Sequence, residues 1–176
     1  AAVFGLFVVA LIIVMAITAS FLYPEDPFRL VGKPLSKPLT NGFLLGSDSL
    51  GRDVASGIVH GAKTSLLIGF VATLVSVFIG IFFGAFAGYF GGLIDDILMR
   101  VTEIFQTIPS FIFAILLVAI MKPSMSSIVI AIAVVSWPGV ARLVRGEFLA
   151  VKNREFVQAC HTLGMSDLRI MLWEIL

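Results

Sequence analysis

Four stretches of this chain carry no charged residue: Ala1–Pro24, Thr64–Ile94, Ile104–Met121 and Pro123–Ala141, of 24, 31, 18 and 19 residues. A helix rises about 1.5 Å per residue, so about 20 apolar residues cross a hydrocarbon core roughly 30 Å thick. Each window therefore predicts one membrane-spanning helix, since a helix satisfies its own backbone hydrogen bonds where no water is present. The second window would reach about 46 Å as one helix and must tilt or extend beyond the lipid. Composition agrees: 59% of residues are hydrophobic and 13% charged, with a mean hydropathy of +1.09. A soluble domain of this length needs more charge to cover its surface. A spanning barrel would alternate apolar and polar residues in segments of about ten, which these windows do not do.

The first window lacks a basic start and a small-residue cleavage site before Tyr23-Pro24-Glu25, so it reads as a retained helix and not as a cleaved leader. The chain begins without Met and stops inside a helical pattern, and is expected to be part of a longer protein. The first 22 residues form the first predicted span, followed by a hydrophilic segment over 23–63. Its first half holds Pro27, Pro34 and Pro38 with Gly32 and Gly42, a composition that predicts an ordered loop. In its second half Asp48 or Ser49 is placed to cap a short amphipathic helix carrying Leu50, Val54 and Ile58 at the membrane surface. The remaining spans are predicted near 64–91, 102–121 and 125–149, within a membrane region 64–152. Residues Gly91 to Glu103 read as a short polar connection, in which Asp95 and Asp96 stay solvated or pair with Arg100.

The region 153–176 is amphipathic. Phe156, Ala159, Cys160 and Leu163 fall at helical spacing, Gly164 interrupts them, and Leu168, Met171, Leu172 and Ile175 resume the pattern. Glycine adopts positive φ without steric cost, so this predicts two short helices joined by a sharp turn. Within the second span Ser76, Gly80, Gly84 and Gly88 recur every fourth residue, a spacing that lets helix backbones approach closely in lipid. Pro109 and Pro138 should kink their helices. Orientation is not set by charge: each predicted side of the membrane holds six basic residues.

The segment from Arg154 to Leu176 resembles the cytoplasmic coupling loop of bacterial ABC-importer permeases, in which Glu-Ala-Ala is followed, after three intervening residues, by Gly. Ala159 and Gly164 keep that spacing, whereas Gln158 and Cys160 replace the usual Glu and second Ala. A second stretch, Leu45-Gly-Ser-Asp48-Ser-Leu-Gly-Arg52-Asp53-Val54 with Gly61-Ala-Lys-Thr-Ser-Leu66, resembles a motif of one permease subunit of dipeptide, oligopeptide and nickel importers. Asp95, Met99-Arg100, Ile108-Pro109 and Ala141 to Arg145 also fall where that family has such residues. The resemblance covers nearly the whole chain. It implies an all-α integral membrane protein, a polytopic helical bundle of the type I ABC-importer permease kind, with a cytoplasmic coupling helix and two further spans beyond the chain end.

The resemblance further implies an inner-membrane subunit that pairs with a homologous permease, two cytoplasmic ATPase subunits and an extracytoplasmic substrate-binding protein. It places 23–63 outside and 153–176 inside the cell. Glu155, Phe156, Gln158, Ala159, Cys160, Leu163, Gly164 and Leu168 would meet the ATPase, and Ser76, Gly80, Gly84 and Gly88 would pack helices. The cargo would be a dipeptide or oligopeptide, with nickel or another small chelate as the alternative.

From the residues themselves, no Gly-x4-Gly-Lys-Ser/Thr stretch is present to cradle ATP phosphates, and no partnered nucleophile or acid–base pair appears. The chain is thus expected to hold no cofactor or metal, with ATP and Mg on partner subunits, and to be no enzyme itself. Cys160, the sole cysteine, and the isolated His60 and His161 carry no metal-ligand pattern. A secondary transporter or channel, working without ATP, is the rival class; it normally shows charged residues within its spans, and these spans have none.

Overall fold

The computed structural model describes residues 2–40 and 42–176. The secondary structure is helical, with two isolated β-bridges, Thr40 to Phe43 and Ser47 to Asp53, in a loop. The helices are α1 (Ala2–Leu22), α2 (Val54–Phe90), α3 (Gly92–Thr107), α4 (Ser110–Ile120), α5 (Met125–Val151), α6 (Glu155–Thr162) and α7 (Asp167–Arg169), which runs on as a π-helical segment, Ile170–Ile175. Among the described residues, α1, α2 and α5 are each long and apolar enough to cross a membrane. The bent pair α3 and α4 makes a fourth crossing when taken as one span. The chain is an all-α membrane protein.

It folds as two compact units, Ala1–Gly69 and Phe70–Leu176, with α2 running through both. In the first unit the loop after α1 is organised by two short side chains. The Asp48 carboxylate accepts the N–H groups of Leu50 and Arg52, both at 2.8 Å. The Ser47 hydroxyl accepts the N–H of Ser36 at 2.9 Å and donates to the Lys33 carbonyl. Arg52 lies over the Phe28 ring, 5.5 Å from its centroid. The His60 ring contacts the Tyr23 carbonyl at 2.9 Å, and Lys63 donates to the Ser20 hydroxyl at 2.9 Å, so the end of α1 is tied to the start of α2.

These contacts correct the expected short surface helix. Asp48 folds a turn instead of capping, Leu50 stays outside any helix, and the next aspartate, Asp53, takes the N–H of Ala55 at 2.9 Å. Helix α2 therefore begins at Val54 and runs 37 residues, ten residues earlier than the apolar window implied. His60 and Lys63 fit within it because their polar ends find partners at the end of α1 and just beyond it, Ser20 for Lys63 and Tyr23 for His60.

In the second unit, the connection after α2 is tighter than expected. Gly91 and Gly92 turn the chain at φ of 66° and 53°, and α3 starts at once, so Asp95, Arg100 and Glu103 are helical and not a polar linker. The third span is not continuous either. It breaks at Ile108-Pro109, where α3 and α4 meet at 81°. Proline has no N–H to continue the ladder, and it forces the residue before it out of the helical region; Ile108 sits at φ −91°, ψ 131°. Helix α5 starts where the Ser124 hydroxyl accepts the N–H of Ser127 at 3.1 Å, and it continues through a buried Pro138.

Helix α2 lies against α5 through its small residues. A Cβ added at Gly80 would come 2.5 Å from Val140 Cβ, and one at Gly88 would come 2.6 Å from Phe148 Cβ. At Gly84 it would strike the Ala141 carbonyl oxygen and the Val144 side chain. Ser76 is buried one turn before these residues, its hydroxyl turned back to the Thr73 carbonyl at 3.0 Å.

Candidate functional site

The last 24 residues form a helix–turn–helix with an exposed side and an anchored side. Helix α6 closes in a Schellman arrangement: the Met165 N–H reaches the Cys160 carbonyl at 3.1 Å, and the Gly164 N–H reaches the His161 carbonyl at 3.0 Å. Gly164 takes the left-handed position that this arrangement requires, with φ of 77°. Space around it is open, so a side chain there would be opposed by backbone conformation and not by a neighbour.

On the exposed side lie Glu155, Phe156, Gln158, Ala159, Leu163, Gly164 and Leu168; Cys160 is half-buried. Leu163 is 79% exposed, high for a leucine ending a helix. Two exposed apolar residues outside the expected set continue this surface, Leu172 and, at 81%, Trp173. Leu172 lies one helical turn from Leu168, as the sequence pattern has it, whereas Trp173 falls outside that pattern, and the sequence did not tell which side of the second helix was covered.

On the anchored side Val157, Ile170 and Met171 are buried. Met171 belongs to a cluster with Ala85 of α2 and Phe148 of α5, packed round by Phe86, Tyr89, Val144 and Ile175. Polar contacts lie beside it. The Tyr89 hydroxyl donates to Asp167 at 2.8 Å and stands 3.4 Å from Nε2 of His161, whose Nδ1 is 3.9 Å from the same carboxylate. Lys152 reaches the Tyr89 carbonyl at 3.4 Å.

The membrane helices behind this segment are pinned by an ion pair. Arg145 of α5 grips Asp95 of α3 with Nε and Nη2, at 2.5 and 2.6 Å. Arg100, the expected partner of Asp95, pairs with Glu103 at 3.4 Å on the exposed side of α3. The correction follows from helix geometry: in the first turn of α3, Asp95 faces α5, while Arg100 points away from it. Among the described residues no group of three His, Cys, Asp or Glu side chains comes together as a metal site.

Mechanically, this arrangement is an exposed knob whose root packs against two membrane helices, α2 and α5. Residues 80–176 match the family described as binding-protein-dependent transport system inner membrane component. Among curated proteins, the chain is 38% identical over 167 residues to the dipeptide transport system permease protein DppC of Bacillus subtilis, covering 95% of this chain and 52% of that protein. It is 38% identical over 179 residues to the oligopeptide transport system permease protein OppC of Escherichia coli, covering 99% and 59%. It is 41% identical over 176 residues to the glutathione transport system permease protein GsiD of Shigella flexneri, covering 98% and 57%. The chain thus spans between half and three fifths of the length of these relatives. It belongs to the family of inner-membrane components of binding-protein-dependent transport systems.

Proposed function

We propose that this chain is a transmembrane permease subunit of an ATP-driven importer, forming half of the path for dipeptides and oligopeptides. The relatives named for dipeptide, oligopeptide and glutathione transport support a short-peptide cargo, glutathione being a tripeptide. In this reading 1–22 is the first span, 23–63 an extracytoplasmic loop, 64–152 the permease core and 153–176 the cytoplasmic coupling segment, with two further spans to follow. A homologous permease completes the path and a binding protein delivers cargo from outside. Two ATPase subunits, which hold ATP and Mg, close beneath it. The chain itself does no chemistry; it converts a push into a change of the path.

One observation carries the reading: the Gly164 turn presents Phe156, Ala159, Leu163 and Leu168 outward while Met171 roots the same segment between α2 and α5. For the segment to couple, its affinity for the ATPase must differ between the two states of the path. The experiment compares Gly164→Val and Ala159→Glu with wild type in reconstituted vesicles. Valine resists a positive φ, and glutamate would place a charge in an apolar contact. Both variants are expected to assemble their spans yet lose cargo-stimulated ATP hydrolysis or lose uptake. Wild-type stimulation and uptake in both would remove this segment from the coupling path.

A further inference from the structure

The exposed half of the coupling segment needs a mechanical connection to the membrane helices, and the apolar cluster at Met171 supplies only one. That cluster lies beyond the turn, on the second arm. The first arm, α6, returns to α5 through residues 152–154 at one end and joins the Gly164 turn at the other. A force applied to α6 alone would reach the membrane helices through that turn and through its packing on Ile170–Ile175, with no direct hold of its own on α2.

We propose that the Tyr89 hydroxyl is the positioning group that closes this gap, holding both arms of the coupling segment to the end of α2. This rests on the coupling role proposed above. Tyr89 is the last residue but one of α2. Its hydroxyl meets His161, near the end of α6, and Asp167, at the start of α7, so a single oxygen bridges the two sides of Gly164. These partners lie 72 and 78 residues away in sequence, which makes the contact tertiary and not a local cap. Hydrogen bonds to an ionised carboxylate are among the stronger ones, and Asp167 is the acceptor here.

An ordinary role for a tyrosine at this level is to sit in the interface with its ring in lipid and its hydroxyl in water. Tyr89 departs from it: the hydroxyl is committed to Asp167, and the ring borders the Met171 cluster. The two contacts are complementary, because the ring helps hold the second arm by packing while the oxygen holds both arms by hydrogen bonds. One residue earlier Gly88 lies against Phe148 and Arg145 of α5. A displacement of the Gly164 turn therefore reaches α2 at Tyr89 and α5 at the next contact, without slack.

The test uses the assembled transporter in vesicles and reads cargo carried per ATP hydrolysed. Tyr89→Phe keeps the ring and its packing and removes only the oxygen. We expect the ratio to fall about three- to tenfold while cargo still stimulates hydrolysis. Asp167→Leu, at an exposed residue where folding is not at stake, should match it, and the double variant should be no worse than either single one. Asp167→Asn keeps an acceptor but not the charge and should fall between wild type and Asp167→Leu. A second reading is independent of transport: spin labels at Phe90 and Gln158 should give a broader distance distribution in Tyr89→Phe. A wild-type ratio with an unbroadened distribution in Tyr89→Phe would overturn the proposal, as would Asp167→Asn failing as badly as Asp167→Leu. If Ala159→Glu also transports normally, the coupling reading has failed, and the spin labels still decide whether Tyr89 holds the segment.

Discussion

Asp95 and Arg145, fifty residues apart in sequence, meet through two parallel hydrogen bonds of 2.5 and 2.6 Å. The carboxylate side chain is 13% exposed and the guanidinium 35%, so the pair is partly shielded from water and joins α3 to α5 directly. Removing one partner leaves the other charge in a poor environment. Asp95→Asn is expected to cost about 1–3 kcal/mol of stability in detergent. Arg145→Lys keeps the charge but not the planar fork, and should fall between wild type and Asp95→Asn. Reversal of both, Asp95→Arg with Arg145→Asp, should recover part of the loss. Chemical unfolding in mixed micelles reads all four; Asp95→Asn as stable as wild type would show that the fork contributes nothing.

Gly84 sits where α2 comes nearest to α5, against the Ala141 carbonyl and Val144. Gly84→Ala forces the two backbones apart by a small amount, and Gly84→Leu by more than the contact can give. Overpacking of this kind costs about 1–3 kcal/mol. The expected order of thermal stability is wild type, then Ala, then Leu, read by the fraction remaining monodisperse after heating. Equal stability of all three would mean that this contact opens freely.

Asp48 gives the loop an acid limit. The N–H of Arg52 donating to its carboxylate, aided by that of Leu50, holds the group below its ordinary value of 3.8. A carboxyl depressed in the folded state stabilises it fully above that ordinary value, and the contribution is lost as pH falls through the folded one. The Leu50 and Arg52 amides should therefore stay protected from hydrogen exchange at pH 5 and lose protection below about pH 3.8, after correction for intrinsic rates. Asp48→Asn still accepts but does not titrate, so its protection should not change across that range. A wild-type profile as flat as that of Asp48→Asn would refute the assignment.

Orientation is open to a direct check. Cysteine placed at Lys37, in a Cys160→Ser background, is expected to react with an impermeant thiol reagent outside intact cells. Reaction only after the membrane is opened would invert the proposed topology.

How much of this could be read in advance depended on the range of the interaction. Spans were legible because each needs only a run of apolar residues, and a kink at Pro109 because proline acts on its own backbone, but not that the third span would break there into two helices bent by 81°. The turn at Gly164 was legible for the same local reason. The start of α2 was not: Asp48 and Asp53 offer the same capping chemistry, and only the fold of the loop around Asp48 leaves the cap to Asp53. Nor was α3, because Asp95 and Arg100 look like a local pair until α5 brings Arg145 to the other side. Tyr89 carried no signal at all, since its partners follow more than seventy residues later.

The corner at Pro109 alters what the third crossing occupies. At 1.5 Å per residue, the 16 residues of α3 and 11 of α4 make legs of about 24 and 16 Å. Joined at the observed bend of 81°, their far ends lie about 31 Å apart, close to one hydrocarbon thickness. The corner itself then stands about 12 Å to one side of the line between those ends, more than the roughly 10 Å width of a helix. Seen along the line between its ends, this span therefore covers the footprint of about two helices, with the corner about two thirds of the way from the start of α3 to the end of α4.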